Sequence, residues 1–136
     1  MAAPRLSHFG VAVQAHEQAL VFWRDILGLP LEHTEHVSSD GVRVAMLRLD
    51  ASAGCVELLE PDETGGPVGA FLEKRGPGLH HVAFEVDDVA ALLAKMKDAG
   101  LRLLDEAPRP GAHDCLVAFV HPKSTGGVLV ELTQPA

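Results

Sequence analysis

Residues 7–13 alternate as a half-buried strand does, with Phe9, Val11 and Val13 on one face and His8, Gly10 and Ala12 on the other. From 16 to 27 the period lengthens to that of a helix: Leu20, Trp23 and Leu27 form the apolar stripe, and Gly28 stands where a helix end favours a left-handed residue. Strands are predicted next at 31–36, 41–49 and 55–59. The pattern then starts again. Residues 81–86 place Val82, Phe84 and Val86 opposite His81 and Ala83, and Asp87 or Asp88 is suited to cap a helix. That helix carries Val89, Leu92, Leu93 and Met96 inward and ends at Gly100, with strands expected near 101–105, 116–119 and 128–133.

The recurrence extends to particular residues. Ser7-His8-Phe9-Gly10-Val11-Ala12-Val13 is echoed by His80-His81-Val82-Ala83-Phe84-Glu85-Val86, and Val56-Glu57-Leu58-Leu59-Glu60-Pro61 by Val130-Glu131-Leu132-Thr133-Gln134-Pro135. The separation of the two histidines differs from that of the two glutamates by a single residue, so the halves are in register. This predicts an α+β fold, with one β-α-β-β-β unit used twice within one domain, 1–136. Module one covers 5–61 and module two 79–135. A glycine-rich linker, 62–78, holds a short helix at 68–75.

Parity adds a chemical expectation. In each first strand the histidine-bearing face has only small companions, so the helices should cover the bulky face and leave the other open. Glu57 and Glu131 stand opposite their Val and Leu neighbours, and a carboxylate in such an apolar strand is costly unless paired, protonated or bound to a cation. If the two sheets curve into a common cup, His8, Glu57, His81 and Glu131 converge in it. Two imidazoles and two carboxylates suit a divalent ion such as Co, Mn, Ni or Zn and leave about two positions for substrate oxygens. His16, His33, His36, His80, His113 and His121 have no counterpart in the repeat. His80 points away from His81 by parity and reads as structural; His113, in the Arg-Pro-Gly-Ala-His loop, is a weaker candidate for the mouth of the cup.

Composition mostly excludes. A net charge of −8 argues against nucleic acid or an anionic membrane as partner. No apolar run approaches a membrane span, and too few residues precede the first strand for a signal peptide. Two cysteines without metal-binding spacing read as reduced thiols, so the expected location is the cytoplasm.

The chain resembles the vicinal oxygen chelate superfamily (glyoxalase, bleomycin resistance proteins and dioxygenases), whose paired β-α-β-β-β modules form a curved mixed-sheet cup around a metal. Within it, the chain is similar to the methylmalonyl-CoA epimerases. The likeness rests on the two histidine strands, on Phe71-Leu72-Glu73-Lys74-Arg75-Gly76, on Arg109-Pro110-Gly111-Ala112-His113, and above all on His121-Pro122-Lys123-Ser124-Thr125-Gly126-Gly127-Val128-Leu129-Val130-Glu131-Leu132.

The resemblance implies a divalent metal on His8, Glu57, His81 and Glu131. It implies a coenzyme A thioester substrate, epimerised by removal and return of an α-proton through a stabilised enolate. Glu131 is the first choice as proton carrier. Some relatives carry a second carboxylate in the Gly-Val-x-x run of the third strand, where this chain has Val44, so Glu57 or a metal-bound water is left for that role. Lys74, Arg75, Arg109 and Lys123 are the natural holders of the coenzyme A phosphates, and Ser124, in the turn before the last strand, is placed to touch the acyl group. A homodimer is expected. The rival expectation is a glyoxalase I-type isomerase acting on glutathione hemithioacetals.

Overall fold

The computed structural model describes residues 3–50 and 54–136. The chain divides into two compact units. The first runs from His8 to His80; the second gathers His81–Ala136 with the described N-terminal residues up to Ser7.

In the first unit the strands β1 (Arg5–Ala12, which enters this unit at His8), β2 (Leu31–Val37), β3 (Val42–Arg48) and β4 (Cys55–Pro61) follow the spatial order β2-β3-β4-β1, with β1 and β4 parallel and the other pairs antiparallel. One face buries Val13, Leu20, Ala45, Leu47, Val56 and Leu58, with Trp23, Leu29 and Leu31 packed on them. Each fully buried Val or Leu among them contributes about 1.5–3 kcal/mol. Helix α1 (His16–Leu20) supplies the cover and continues as a π-helical turn over Val21–Ile26.

The wider turn corrects the expected helical stripe. Leu27 donates its N–H to Phe22 O at 2.8 Å, five residues back, and its side chain is left half exposed. Leu29 packs against the core in its place.

The opposite face is not left fully open. Helix α2 (Gly66–Arg75), which starts earlier than expected with Pro67 in its first turn, lies against it. Val68, Phe71 and Leu72 pack with Ala12, Val42, Val44, Leu59 and Val37. The end of that face nearer His8, Glu57 and Met46 lies beyond this cluster. A close backbone approach fixes where α2 begins: Gly66 has φ +55°, and a Cβ there would meet Asp40 O at 2.6 Å.

Asp62 fastens the same corner. Its carboxylate accepts from His36 Nε2 (2.9 Å), Thr64 N (2.9 Å) and Thr64 Oγ1 (2.5 Å). The His36 bond first, and the Thr64 hydroxyl next, lower its pKa from 3.8 to about 2. A carboxyl held lower in the folded state than in the unfolded one stabilises above its unfolded value. The contribution therefore fades as pH falls from about 4 towards 2. Asp62→Asn should flatten the pH dependence of the urea midpoint in that window; an unchanged slope would show that this network does not control it.

The second unit repeats the plan. Strands β5 (Gly78–Glu85), β6 (Arg109–Pro110), β7 (Leu116–Val120) and β8 (Val130–Gln134) are ordered β5-β8-β7-β6, again with one parallel pair. Helix α3 (Val89–Asp98) is capped by Asp88, whose side chain accepts from Ala91 N at 3.0 Å, and Val89 and Leu93 bury against Val86, Ala118, Val120 and Leu132.

The strand expected at 101–105 is reduced to one bridge, Leu103 to Val120. Leu104 N and Asp105 N both donate to Phe119 O, and the Asp105 carboxylate accepts from Phe119 N at 2.8 Å, so a side chain completes the ladder where regular pairing stops. The short β6 pairs with β7 further along.

Candidate metal centre

Pairing register sets out the chemistry of each unit. In the first, Gly10 of β1 stands opposite Glu57 of β4, and His8 opposite Cys55, so His8 and Glu57 share a face. His8 Nδ1 lies 3.4 Å from Glu57 Oε2, and both side chains are over nine-tenths buried. In the second, Ala83 stands opposite Glu131, and His81, two residues earlier on β5, shares its face. His81 Nε2 lies 3.0 Å from Glu131 Oε1, and this pair is equally buried. Each module thus brings its own predicted histidine and glutamate together.

The donor chemistry of each pair fits a divalent ion. Two buried carboxylates, each beside an imidazole, demand a cation or a proton. The nitrogen and oxygen of the pairs lie 3.4 Å and 3.0 Å apart, close enough that both members of a pair could bind one ion. Imidazole nitrogen with carboxylate oxygen is the donor mix of borderline metals.

Around the second pair lie groups not singled out by the repeat. Phe119 stands opposite Glu131 on β7, and its ring meets His81 edge-on at 5.5 Å. The Arg109 guanidinium is 5.7 Å from the centre of the Phe119 ring and is held by Asp105 Oδ1 at 3.1 Å. Alternation along β7 was the available signal for Phe119, since Ala118 and Val120 face the core. Asp105 left no such signal, because its role depends on the strand breaking there.

In the first unit, Cys55 is on the face of Glu57. Burial first, and then the charges of Glu57 and Glu32, push its thiol up to about 12. His80 packs edge-on against Phe71 at 5.0 Å, the structural part expected of it.

The predicted coenzyme A contacts occupy other elements. Lys74 and Arg75 form the exposed last turn of α2, with the Arg75 guanidinium 5.7 Å from the centre of the Phe71 ring. Lys123 and Ser124 lie in the turn Pro122–Ser124, where Lys123 N donates to His121 Nδ1 at 3.0 Å and Ser124 Oγ accepts from Arg102 N at 2.8 Å. The Ser124 hydroxyl thereby ties its turn to the segment at Arg102. His113 is on the exposed turn Ala112–Asp114, with a φ of 59°.

Residues 7–119 match the model of the glyoxalase/bleomycin resistance protein/dioxygenase superfamily, and the chain belongs to that family. Its fold is the α+β fold of two tandem β-α-β-β-β modules expected from the repeat. The relatives narrow the likeness further. Mitochondrial methylmalonyl-CoA epimerase of Mus musculus is 40% identical over 96% of this chain and 72% of its own. Ethylmalonyl-CoA/methylmalonyl-CoA epimerase of Cereibacter sphaeroides is 39% identical over 96% of this chain and 97% of its own. A methylmalonyl-CoA epimerase solved in complex with methylmalonyl-CoA and NH4+ superposes with a TM-score of 0.92 at 38% identity, covering 99% of this chain and 96% of that one.

Proposed function

We propose that this chain is a metal-dependent epimerase that interconverts (R)- and (S)-methylmalonyl-CoA. The observation that carries the reading is the His–Glu pair built twice, buried both times, in a chain so closely similar to named epimerases. The two modules, 5–61 and 79–135 with the linker 62–78 between them, work as one domain, and His8, Glu57, His81 and Glu131 share a single divalent ion of the Co, Mn, Ni or Zn type.

The difficulty of the reaction is the charge that develops when a carbon between a thioester and a carboxylate loses its proton. A bound divalent ion supplies Lewis acidity to that enolate. The chain's own residues handle the proton. Glu131 takes it from the α-carbon as the C–H electron pair moves into the enolate, and a second carrier returns one to the opposite face. Glu57 is the other carboxylate of the set. Lys74, Arg75 and Lys123 hold the coenzyme A phosphates, and Ser124, in the turn ahead of β8, contacts the acyl group. The reading includes a cytoplasmic homodimer without a nucleic-acid or membrane partner. The net charge of −8 supports the lack of a nucleic-acid partner. Among the described residues no helix is long and apolar enough to cross a membrane.

Proton NMR of single-epimer methylmalonyl-CoA in deuterated water, with Co or Mn added, tests the proposal. The α-proton should exchange and both epimers should appear. No exchange with metal present sinks the epimerase reading, and turnover of a glutathione hemithioacetal instead would move the chain to the glyoxalase branch.

A further inference from the structure

Epimerisation needs two proton carriers, one for each face of the α-carbon, and the first unit offers one that the repeat conceals. Val44, at the third-strand position where some relatives have a carboxylate, is buried in the cluster that α2 covers and carries no proton. Glu57 is engaged by His8 and is itself buried.

The register of the edge strand β2 points elsewhere. Leu31 pairs with Leu47 and packs in the core beneath α1, so strict alternation would send His33 and Glu35 to that same apolar face. An irregularity between Leu31 and His33 reverses the sense: His33 stands opposite Met46, and Glu35 opposite Val44. Met46 in turn stands opposite Glu57. His33, Met46, Glu57 and Gly10 therefore form one row across four strands, on the face that bears His8.

With neighbouring strands about 4.8 Å apart, His33 and Glu57 are separated by roughly 10 Å at the backbone, with Met46 as the floor between them. The ring is oriented, since His33 Nε2 donates to Glu35 Oε1 at 3.0 Å, and the His33 side chain is 40% exposed, which gives its proton a route to solvent. An imidazole aimed by a carboxylate is a general acid–base arrangement.

We propose that His33, positioned by Glu35, is the second proton carrier of the reaction, in place of Glu57. This rests on the epimerase reading. In the forward direction the proton leaves the α-carbon for one carrier while the C–H pair enters the enolate; the enolate carbon then takes a proton from the other carrier on its opposite face, and both carriers re-equilibrate with water.

The experiment follows α-hydrogen exchange with deuterated solvent separately for each epimer, in metal-loaded wild type, His33→Ala, Glu35→Gln and Glu57→Gln, with metal content and thermal midpoint measured alongside. His33→Ala should slow epimerisation by about 100-fold or more while one epimer still exchanges its α-hydrogen near the wild-type rate and the other does not. Glu35→Gln should show the same one-sided loss in smaller degree, in kcat with KM retained, and it decides the matter alone if His33→Ala fails to fold. Exchange lost equally for both epimers marks a structural role and overturns the proposal. So does wild-type exchange for both, or one-sided loss in Glu57→Gln alone. A wild type inert towards methylmalonyl-CoA overturns the epimerase reading together with this one; an active wild type with an unaffected His33 variant overturns only the carrier.

Discussion

Glu131→Gln should fold as the wild type does and lose on the order of 10³ of its epimerisation rate, because removing a positioned acid–base group costs about 10²–10⁴. The amide preserves volume in a site where Glu131 is 8% exposed, and it keeps one oxygen able to face His81. It removes the ability to accept a proton. Metal binding should weaken as well, and in enzyme kept saturated with metal the loss should fall on kcat and kcat/KM together. Exchange of the α-proton in deuterated water should fall with it. Turnover within a few-fold of wild type would remove Glu131 from the proton path, whatever part it keeps in holding the metal.

The second large effect concerns the sharing of one ion by two modules. His8→Ala and His81→Ala should each abolish stoichiometric metal binding, with affinity falling by more than the roughly 100-fold that loss of an outer-shell partner costs. The two losses should be alike, although the residues belong to different halves of the repeat and make separate glutamate contacts, 3.4 Å in one module and 3.0 Å in the other. Elemental analysis after dialysis and calorimetric titration with Co or Mn measure this directly. If either variant keeps one ion per chain at wild-type affinity, the other module holds a metal by itself. The single shared site would then be wrong.

Parity served the sequence well where strands are regular. His8 with Gly10, His81 with Ala83, and Glu57 and Glu131 against their Val and Leu neighbours all depend on a period of two, which covalent geometry imposes wherever the chain stays extended. The same rule failed at β2. From Leu31 onward it would have turned His33 into the core, and no residue between them announces the irregularity that reverses it. It failed again at 101–105, where the ladder ends on the Asp105 side chain. The helical period misplaced Leu27, because one π turn shifts the stripe and hands the core position to Leu29.

What the sequence determined by itself was the duplicated unit and the four residues that recur in it, since both follow from local alternation and from comparing one half with the other. Tertiary structure decided which neighbours those residues would have. It laid α2 across Val44 and Leu59, set Phe119 beside His81, and aligned His33 with Met46 and Glu57. The physical reason is that a strand fixes only the side to which each residue points. The side chains opposite it come from register between strands far apart in the chain, and one extra residue in a ladder changes them all.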